Sequence, residues 1–308
     1  TSGAVETRGQ PTGTLAECKT AFFLPFFSLA ATLQRRLRRG QTEPASQSEK
    51  EATMKQLRCS APSALLFLVA AASTVFAVDG QKCVMRGICD MDGTRAPCVY
   101  DGEPKVIESP SARATLEGVC GDVLGNLSEP LCCDANQAED FAENLESAKA
   151  IGLDNCAACS VNFRTLMCQM LCSPRQAEFM QLLTSEVNED KERHVATMNY
   201  YVTPKFVKGM YDSCKDSRSK IPSISLFNFM CGRWGSECTS ERWLGFLGAT
   251  PADGGLSPMS VKHVLSDKDH STPDGGVYKP LSLEPYVCNQ DRGSVKACSC
   301  DNCKAACS

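Results

Sequence analysis

LCCDANQAEDFAENLESAKAIGLDNCAACSVNFRTLMCQMLCSPRQ, residues 131–176, carries six cysteines and two helical patterns in succession. Asp134 stands three residues ahead of Gln137, the spacing at which each side chain bonds the other residue's backbone N–H in a capping box. Ala138, Phe141, Leu145 and Ala148 then recur at three- to four-residue steps, which predicts a helix over 134–151 with one apolar face, ended by Gly152. A second helix is predicted over 156–172, with Phe163, Leu166, Met167, Met170 and Leu171 as its apolar positions and Pro174 as its stop. At about 100° per residue, Cys156 and Cys159 point roughly opposite to Cys168 and Cys172, so this helix is fastened on two sides and lies centrally. Cys132 and Cys133 are neighbours. A bond between them would close a strained ring, so each bridges a different element.

Upstream, residues 83–132 are rich in Gly, Pro and Asp and read as loops held by cysteines. Downstream, residues 175–199 read as a helix followed by a mobile loop. Pro204 opens a third helix that buries Phe206, Val207, Met210, Tyr211 and Cys214. An apolar run over 224–230 follows, then a short helix over 241–247 and a Pro/Gly loop over 249–257. Residues 259–265 and 277–287 alternate β-branched and aromatic residues and are predicted strands. CSCDNCKAAC, 298–307, is a terminal staple. The expected architecture is α+β: one mostly helical domain with a small sheet.

The first methionine is Met54. It opens MKQLRCSAPSALLFLVAAASTVFA, whose basic start, apolar middle and small-residue end predict a signal peptide over 54–78, cleaved near Ala77 or Val78. Residues 1–53, which include FFLPFFSLAA and the run Arg35, Arg36, Arg38, Arg39, read as upstream non-native or disordered sequence and are set aside. The secreted or luminal domain is then 79–308. It holds 31 acidic against 23 basic side chains, which argues against nucleic acid and anionic membrane as main partners. Eighteen cysteines fall between Cys83 and Cys307; an even number behind a signal peptide predicts about nine disulfides, with connectivity left open by spacing. Asn126-Leu127-Ser128 is a glycosylation sequon, so Asn126 should face solvent.

Catalytic and metal patterns are wanting. GxSxG, HExxH and a phosphate-cradling glycine loop do not occur. Two CxxC pairs (Cys156/Cys159, Cys300/Cys303) would suit zinc, but His194, His263 and His270 sit at no ligand spacing from them, and an oxidising compartment turns thiolates into disulfides. Gln137 occupies the place where a CCxxH phospholipase stretch would hold its catalytic histidine, so that chemistry lacks a base. His263, near Asp267 and Asp269, reads as a surface residue near a turn. No enzyme, metal or cofactor is expected. Binding outranks catalysis, and Phe227, Phe229, Met230, Trp243, Phe246, Leu247 and Met259 read either as core or as the wall and rim of an apolar pocket.

LCCD at 131–134, C-x2-C-x8-C-x3-C at 156–172, LCSPRQ at 171–176, YYV at 200–202 and CSCxxCxxxC at 298–307 together resemble one known framework. It is the luminal N-terminal domain of the Niemann–Pick type C intracellular cholesterol transporter family, and the resemblance runs over 83–308. It implies a deep sterol pocket among helices and a small mixed sheet. It also implies the pairs Cys83–Cys132, Cys89–Cys98, Cys120–Cys168, Cys133–Cys172, Cys156–Cys298, Cys159–Cys214, Cys231–Cys238, Cys288–Cys303 and Cys300–Cys307. In the family, a glutamine and an asparagine hold the sterol hydroxyl. The glutamine matches Gln137, which would then aim its amide into the pocket instead of the cap. The asparagine position is Pro97, a departure that removes a side-chain hydrogen bond; either water, backbone or Asn144 replaces it, or recognition of the hydroxyl is weaker. Met85, Phe141, Met167, Phe229, Met230, Pro258 and Met259 fall at pocket or rim positions, with Trp243 beside them.

The ligand so implied is cholesterol or a related sterol, and the partner is the family's small soluble Niemann–Pick C sterol carrier. A membrane portion of the transporter would follow Ser308. The location implied is the lumen of late endosomes and lysosomes, or else the outer face of an absorptive cell. A cysteine-rich vitamin-binding domain of the folate or riboflavin type is the alternative; it needs aromatic rings to stack on, and the chain has only Trp234 and Trp243 as tryptophans.

Overall fold

The structure is a computed structural model and describes residues 80–89 and 95–307. The signal peptide over 54–78 and the upstream stretch 1–53, with Cys18 and Cys59, lie outside the described residues. Two strands come first, β1 (Cys83–Cys89) and β2 (Ala96–Gly102), paired antiparallel. Helix α1 follows at Pro110–Leu124, where the sequence reads as cysteine-held loop. Ser109 caps it by accepting from the Ala112 N–H at 3.3 Å, and Pro110 enters at the first turn. Gly118 and Gly121 lower the local helix propensity and mask the period; tertiary burial of Ala112, Leu116, Val119 and Cys120 offsets that loss.

The next two helices match their reading. Helix α2 spans Ala135–Ala150, with both halves of the Asp134–Gln137 capping box formed. Helix α3 spans Ala157–Cys172 and is bolted on two sides: Cys156 and Cys159 join Cys298 and Cys214, while Cys168 and Cys172 join Cys120 and Cys133. All nine implied pairs are bonded in the structure, and Cys132 and Cys133 part to Cys83 and Cys172.

Where a helix and mobile loop were expected, the chain makes a single turn α4 (Gln176–Phe179) and then a hairpin of β3 (Met180–Val187) and β4 (Arg193–Val202). Val195, Met198, Tyr200, Tyr201 and Val202 in β4 are all fully buried, the signature of a central strand covered on both faces. Helix α5 (Pro204–Cys214), the turn α6 (Phe227–Met230) and α7 (Ser240–Gly248) then carry the chain across to β5 (Ser260–Leu265). That long crossover lets β5 run parallel to β4. The sheet order is β1-β2-β4-β3, with β5 also pairing β4, along the edge that β2 meets at His194, so the sheet is small and mixed, as expected.

The second expected strand, 277–287, shrinks to β7 (Val277–Tyr278), paired with β6 (His270–Ser271), plus one bridge from Leu281 to Val202. Pro280 and Pro285 remove ladder donors and stop it there. Among the described residues one continuous apolar core joins the sheet to α1, α2, α3, α5 and α7.

Candidate functional site

The side chain that the sequence marks most strongly is Gln137. Its position follows from local chemistry: Asp134 caps α2 by accepting from the Gln137 N–H at 2.9 Å, and Gln137 Oε1 accepts from the Asp134 N–H at 3.1 Å. A second donor arrives from a distant part of the chain. The Gly87 N–H on β1 donates to the same Oε1 at 2.7 Å. Gly87 has φ +82°, and a Cβ there would meet the Asp134 carboxylate at 3.4 Å. Arg86 ties the two segments by donating to the carbonyls of Leu131 and Cys133.

The two backbone donors settle which end of the carboxamide is which, because a reversed amide would set N–H against N–H. Gln137 is 5% exposed, and its Nε2 is buried with no hydrogen-bond partner. The contrast with Gln176 is instructive. That residue is fully buried too, yet its oxygen accepts from Val84 and Met85 N–H and its nitrogen donates to the Met170 and Leu171 carbonyls. Gln176 is a structural pin with every group used. Gln137 holds a buried amide donor in reserve, and an unmet buried donor costs about 1–3 kcal/mol.

Sequence reasoning set the cap and the pocket roles of Gln137 against each other. The cap takes only the oxygen and leaves the nitrogen outside it. The residue it missed is Gly87: with 83–132 read as loop, no strand-interior glycine stood out there to signal a close backbone approach.

Around Gln137, Met85 on β1 is fully buried and Phe141 lies one turn along α2, also buried. Pro97 is buried in β2, opposite Ile88. Asn144, offered as a stand-in for the missing asparagine, is exposed; α2 turns it to solvent while Leu145 takes the core position. It does not share the buried surroundings of Gln137. Met167 is half-buried on α3.

The remaining pocket candidates gather around α6, α7 and the start of β5. Trp243 is fully buried, stacked on Phe163 at 6.2 Å and met edge-on by Phe227 at 4.9 Å, which in turn stacks on Tyr211 at 5.3 Å. Its indole N–H is buried without a partner. Met230 and Met259 are buried, Phe229 is half-buried and Pro258 is exposed.

Clefts open on the surface of the described residues. One of about 450 Å³ runs between α7 and β5, lined by Leu244, Gly245, Gly248, Val261 and His263 among others. Another, about 320 Å³, lies at the C-terminal end of α1 beside Asn126. Gln137 lines neither. Asn126 itself is exposed, with its side-chain oxygen turned back to the Ser128 N–H at 3.0 Å.

His263 corrects its reading as a surface residue near a turn. It sits inside β5, packed against Tyr200 at 5.7 Å, with Nδ1 buried and unpartnered. Burial pushes its pKa down to about 4, against a smaller opposing effect of a backbone hydrogen bond to Leu244.

Fold and site together define a disulfide-braced α+β domain in which a helix-capping glutamine is buried against a strand with its amide N–H unspent. The chain belongs to the Niemann-Pick C1 N terminus family, whose match covers residues 80–308. It is similar to the NPC intracellular cholesterol transporter 1 of Sus scrofa, 28% identical over 251 residues, which covers 79% of this chain and 19% of that protein. It is 33% identical over 201 residues to the NPC1-like intracellular cholesterol transporter 1 of Mus musculus, covering 63% of this chain and 14% of that one. A Caenorhabditis elegans relative, NPC intracellular cholesterol transporter 1 homolog 1, is 30% identical over 241 residues, with 72% and 17% covered. The chain therefore spans less than a fifth of the length of these transporters.

Proposed function

We propose that residues 79–308 bind one sterol molecule, cholesterol or a close relative, with its polar end against Gln137. The observation that carries this is the buried, unpartnered Nε2 of Gln137, set on α2 near Met85 and Phe141. Taking roughly 500 Å² of sterol surface out of water is worth on the order of 12 kcal/mol at most, and the polar end must keep a hydrogen bond to retain that gain. Met85, Met230 and Met259 are buried in the structure, and their flexible thioethers can repack around an irregular ring system.

A sterol held this way leaves for water only at great cost, so release requires a second apolar site. A small soluble Niemann–Pick C sterol carrier fills that role, docking near residues 229–261, where Leu256 is 59% exposed beside Pro258. In this reading the domain works in the lumen of late endosomes and lysosomes, or on the outer face of an absorptive cell, as part of a membrane transporter. Asn126 carries glycan away from the sterol mouth. The chain acts by binding, not catalysis, and its ligand is the sterol alone.

A vitamin-type ring would need free aromatic faces. Trp243 is enclosed by Phe163 and Phe227, and Trp234 lies under the Arg233 and Arg242 guanidiniums at 4.8 and 4.1 Å, so neither favours it. The test is equilibrium binding of radiolabelled cholesterol to the purified chain. Saturable binding at one site per molecule, displaced by unlabelled cholesterol, is the expected result; its absence ends the proposal.

A further inference from the structure

We infer that the cleft beside Asn126 is a seat for carbohydrate and that its occupant is the first N-acetylglucosamine of the chain's own glycan, a reading that rests on Asn126 being glycosylated and not on sterol binding. The cleft, about 320 Å³, is lined by Arg113, Ala114 and Glu117 of α1 and by the loop 125–128 that leaves the helix. Small-ligand sites begin at about 300 Å³, so this one has room for a sugar unit rather than a branched glycan. Asn126 is itself one of the lining residues and opens the sequon Asn126-Leu127-Ser128. A sugar joined to it starts at the wall of the cleft, and the covalent tether decides which ligand comes first.

Attachment leaves the contacts that hold the loop. Asn126 Oδ1 accepts from the Ser128 N–H at 3.0 Å, and Nδ2 donates to Glu129 Oε1 at 3.3 Å. In the transfer, C1 of the sugar leaves the diphosphate of a lipid-linked oligosaccharide, which keeps the bonding electrons. C1 then bonds Nδ2 as one amide hydrogen departs as a proton. Oδ1 and the second amide hydrogen remain for Ser128 and Glu129.

The facing wall supplies the polar groups. Arg113 and Glu117 stand one turn apart on α1, and neither side chain is engaged in a hydrogen bond or an ion pair. A guanidinium only donates and a carboxylate only accepts, while the sugar's acetamido group presents one carbonyl and one N–H, so the two sets match. Ala114 and the buried Leu127 add apolar surface for the acetamido methyl. Gly118 and Gly125 both face open space, so no side chain needs to move aside. Helix α1 also has much to gain, because Gly118 and Gly121 weaken it locally and its last turn carries no basic residue. A sugar joined to the loop and bonded to Glu117 ties the two together.

The experiment uses the full chain secreted from cells that make only high-mannose glycans, with mass spectrometry to identify the modified residue. Three forms are melted under non-reducing conditions: the intact glycoprotein, the protein trimmed to one sugar by an endoglycosidase that cuts between the first two, and Ser128→Ala, which loses the sequon but keeps Asn126. The trimmed form should melt with the intact one, and Ser128→Ala about 2–4 °C lower, the shift that about one net hydrogen bond makes in a domain of this size. Glu117→Ala should cost about as much in the glycosylated chain and nothing measurable when combined with Ser128→Ala. An unmodified Asn126, a trimmed form that melts with Ser128→Ala, or a Glu117→Ala effect of equal size with and without the glycan each overturns the seat. Labelled-cholesterol binding should be the same in all forms, so the sterol proposal stands or falls separately.

Discussion

Gln137→Ala removes one oxygen and strands two backbone donors from different segments of the chain, so it tests stability and binding at once. The Gly87 and Asp134 N–H groups both lose their acceptor. Both residues are half-buried, so water reaches them in part, and each lost bond is worth about 0.5–1.5 kcal/mol. The sum, about 1–3 kcal/mol, agrees with the usual loss for a broken helix cap of about 0.5–2 kcal/mol. For a domain of this size, about 2 kcal/mol lowers the melting temperature by roughly 4–8 °C.

Nine disulfides remain, so the variant stays folded at ambient temperature. On the proposed reading sterol affinity falls as well, because the polar end loses the Gln137 donor: about 1–2 kcal/mol, or roughly 5- to 30-fold. Non-reducing thermal melts followed by circular dichroism, together with labelled-cholesterol titration, give both readouts. Gln137→Met, close in shape but without an acceptor, should reproduce both losses. A melting point within one degree of the parent, together with unchanged affinity, would show that the amide contributes to neither cap nor ligand.

Three further outcomes are expected. His263 is held neutral by burial, with a folded pKa near 4 against 6.5 when exposed. The unfolded chain therefore takes up its proton first as pH falls, so the domain should lose about 2–3 kcal/mol between pH 6.5 and 4 and then level off; His263→Gln should flatten that part of a urea-stability profile. Gly248→Ala would put a methyl 2.0 Å from the Val261 carbonyl oxygen, so α7 must lift from β5; a loss of at least about 2 kcal/mol is expected in urea unfolding, and a neutral result would show that this contact is loose. Removing the Cys156–Cys298 bridge, which closes 142 residues, should cost up to about 5 kcal/mol, against about 2 for Cys300–Cys307, which closes seven; the other bridges shorten the longer loop, so the larger figure is a ceiling, and equal losses in calorimetry would contradict the loop-entropy account.

The parts of the fold legible in the sequence are those set by near neighbours. Helices α2, α3, α5 and α7 carry local signals, caps in α2 and α7 and proline boundaries and apolar periods in α3 and α5, from the Asp134–Gln137 box to Pro204 at the first turn of α5. Helix α1 was hidden because its glycines weaken the local signal, and burial across α2 and α3 restores what propensity lacks. The hairpin of β3 and β4 was hidden for a different reason. MQLLTSEV mixes polar and apolar residues without clean alternation; its extended state is stabilised by pairing with β4, and β4 in turn by β2 and β5, segments up to about a hundred residues away.

The same division runs through the site. Sequence alone, through residue type and spacing, selected Gln137 as a capping amide and showed Pro97 to be without a side-chain donor or acceptor. That Asn144 turns to solvent on α2, and that His263 is enclosed rather than exposed, was decided by tertiary packing. So was the second partner of the Gln137 oxygen, the Gly87 N–H, fifty residues away in the chain. A helix cap is closed by atoms within one turn and can be read from four letters. Whether the amide's other end is spent or free depends on which strand the folded chain lays beside it, and no local pattern carries that information.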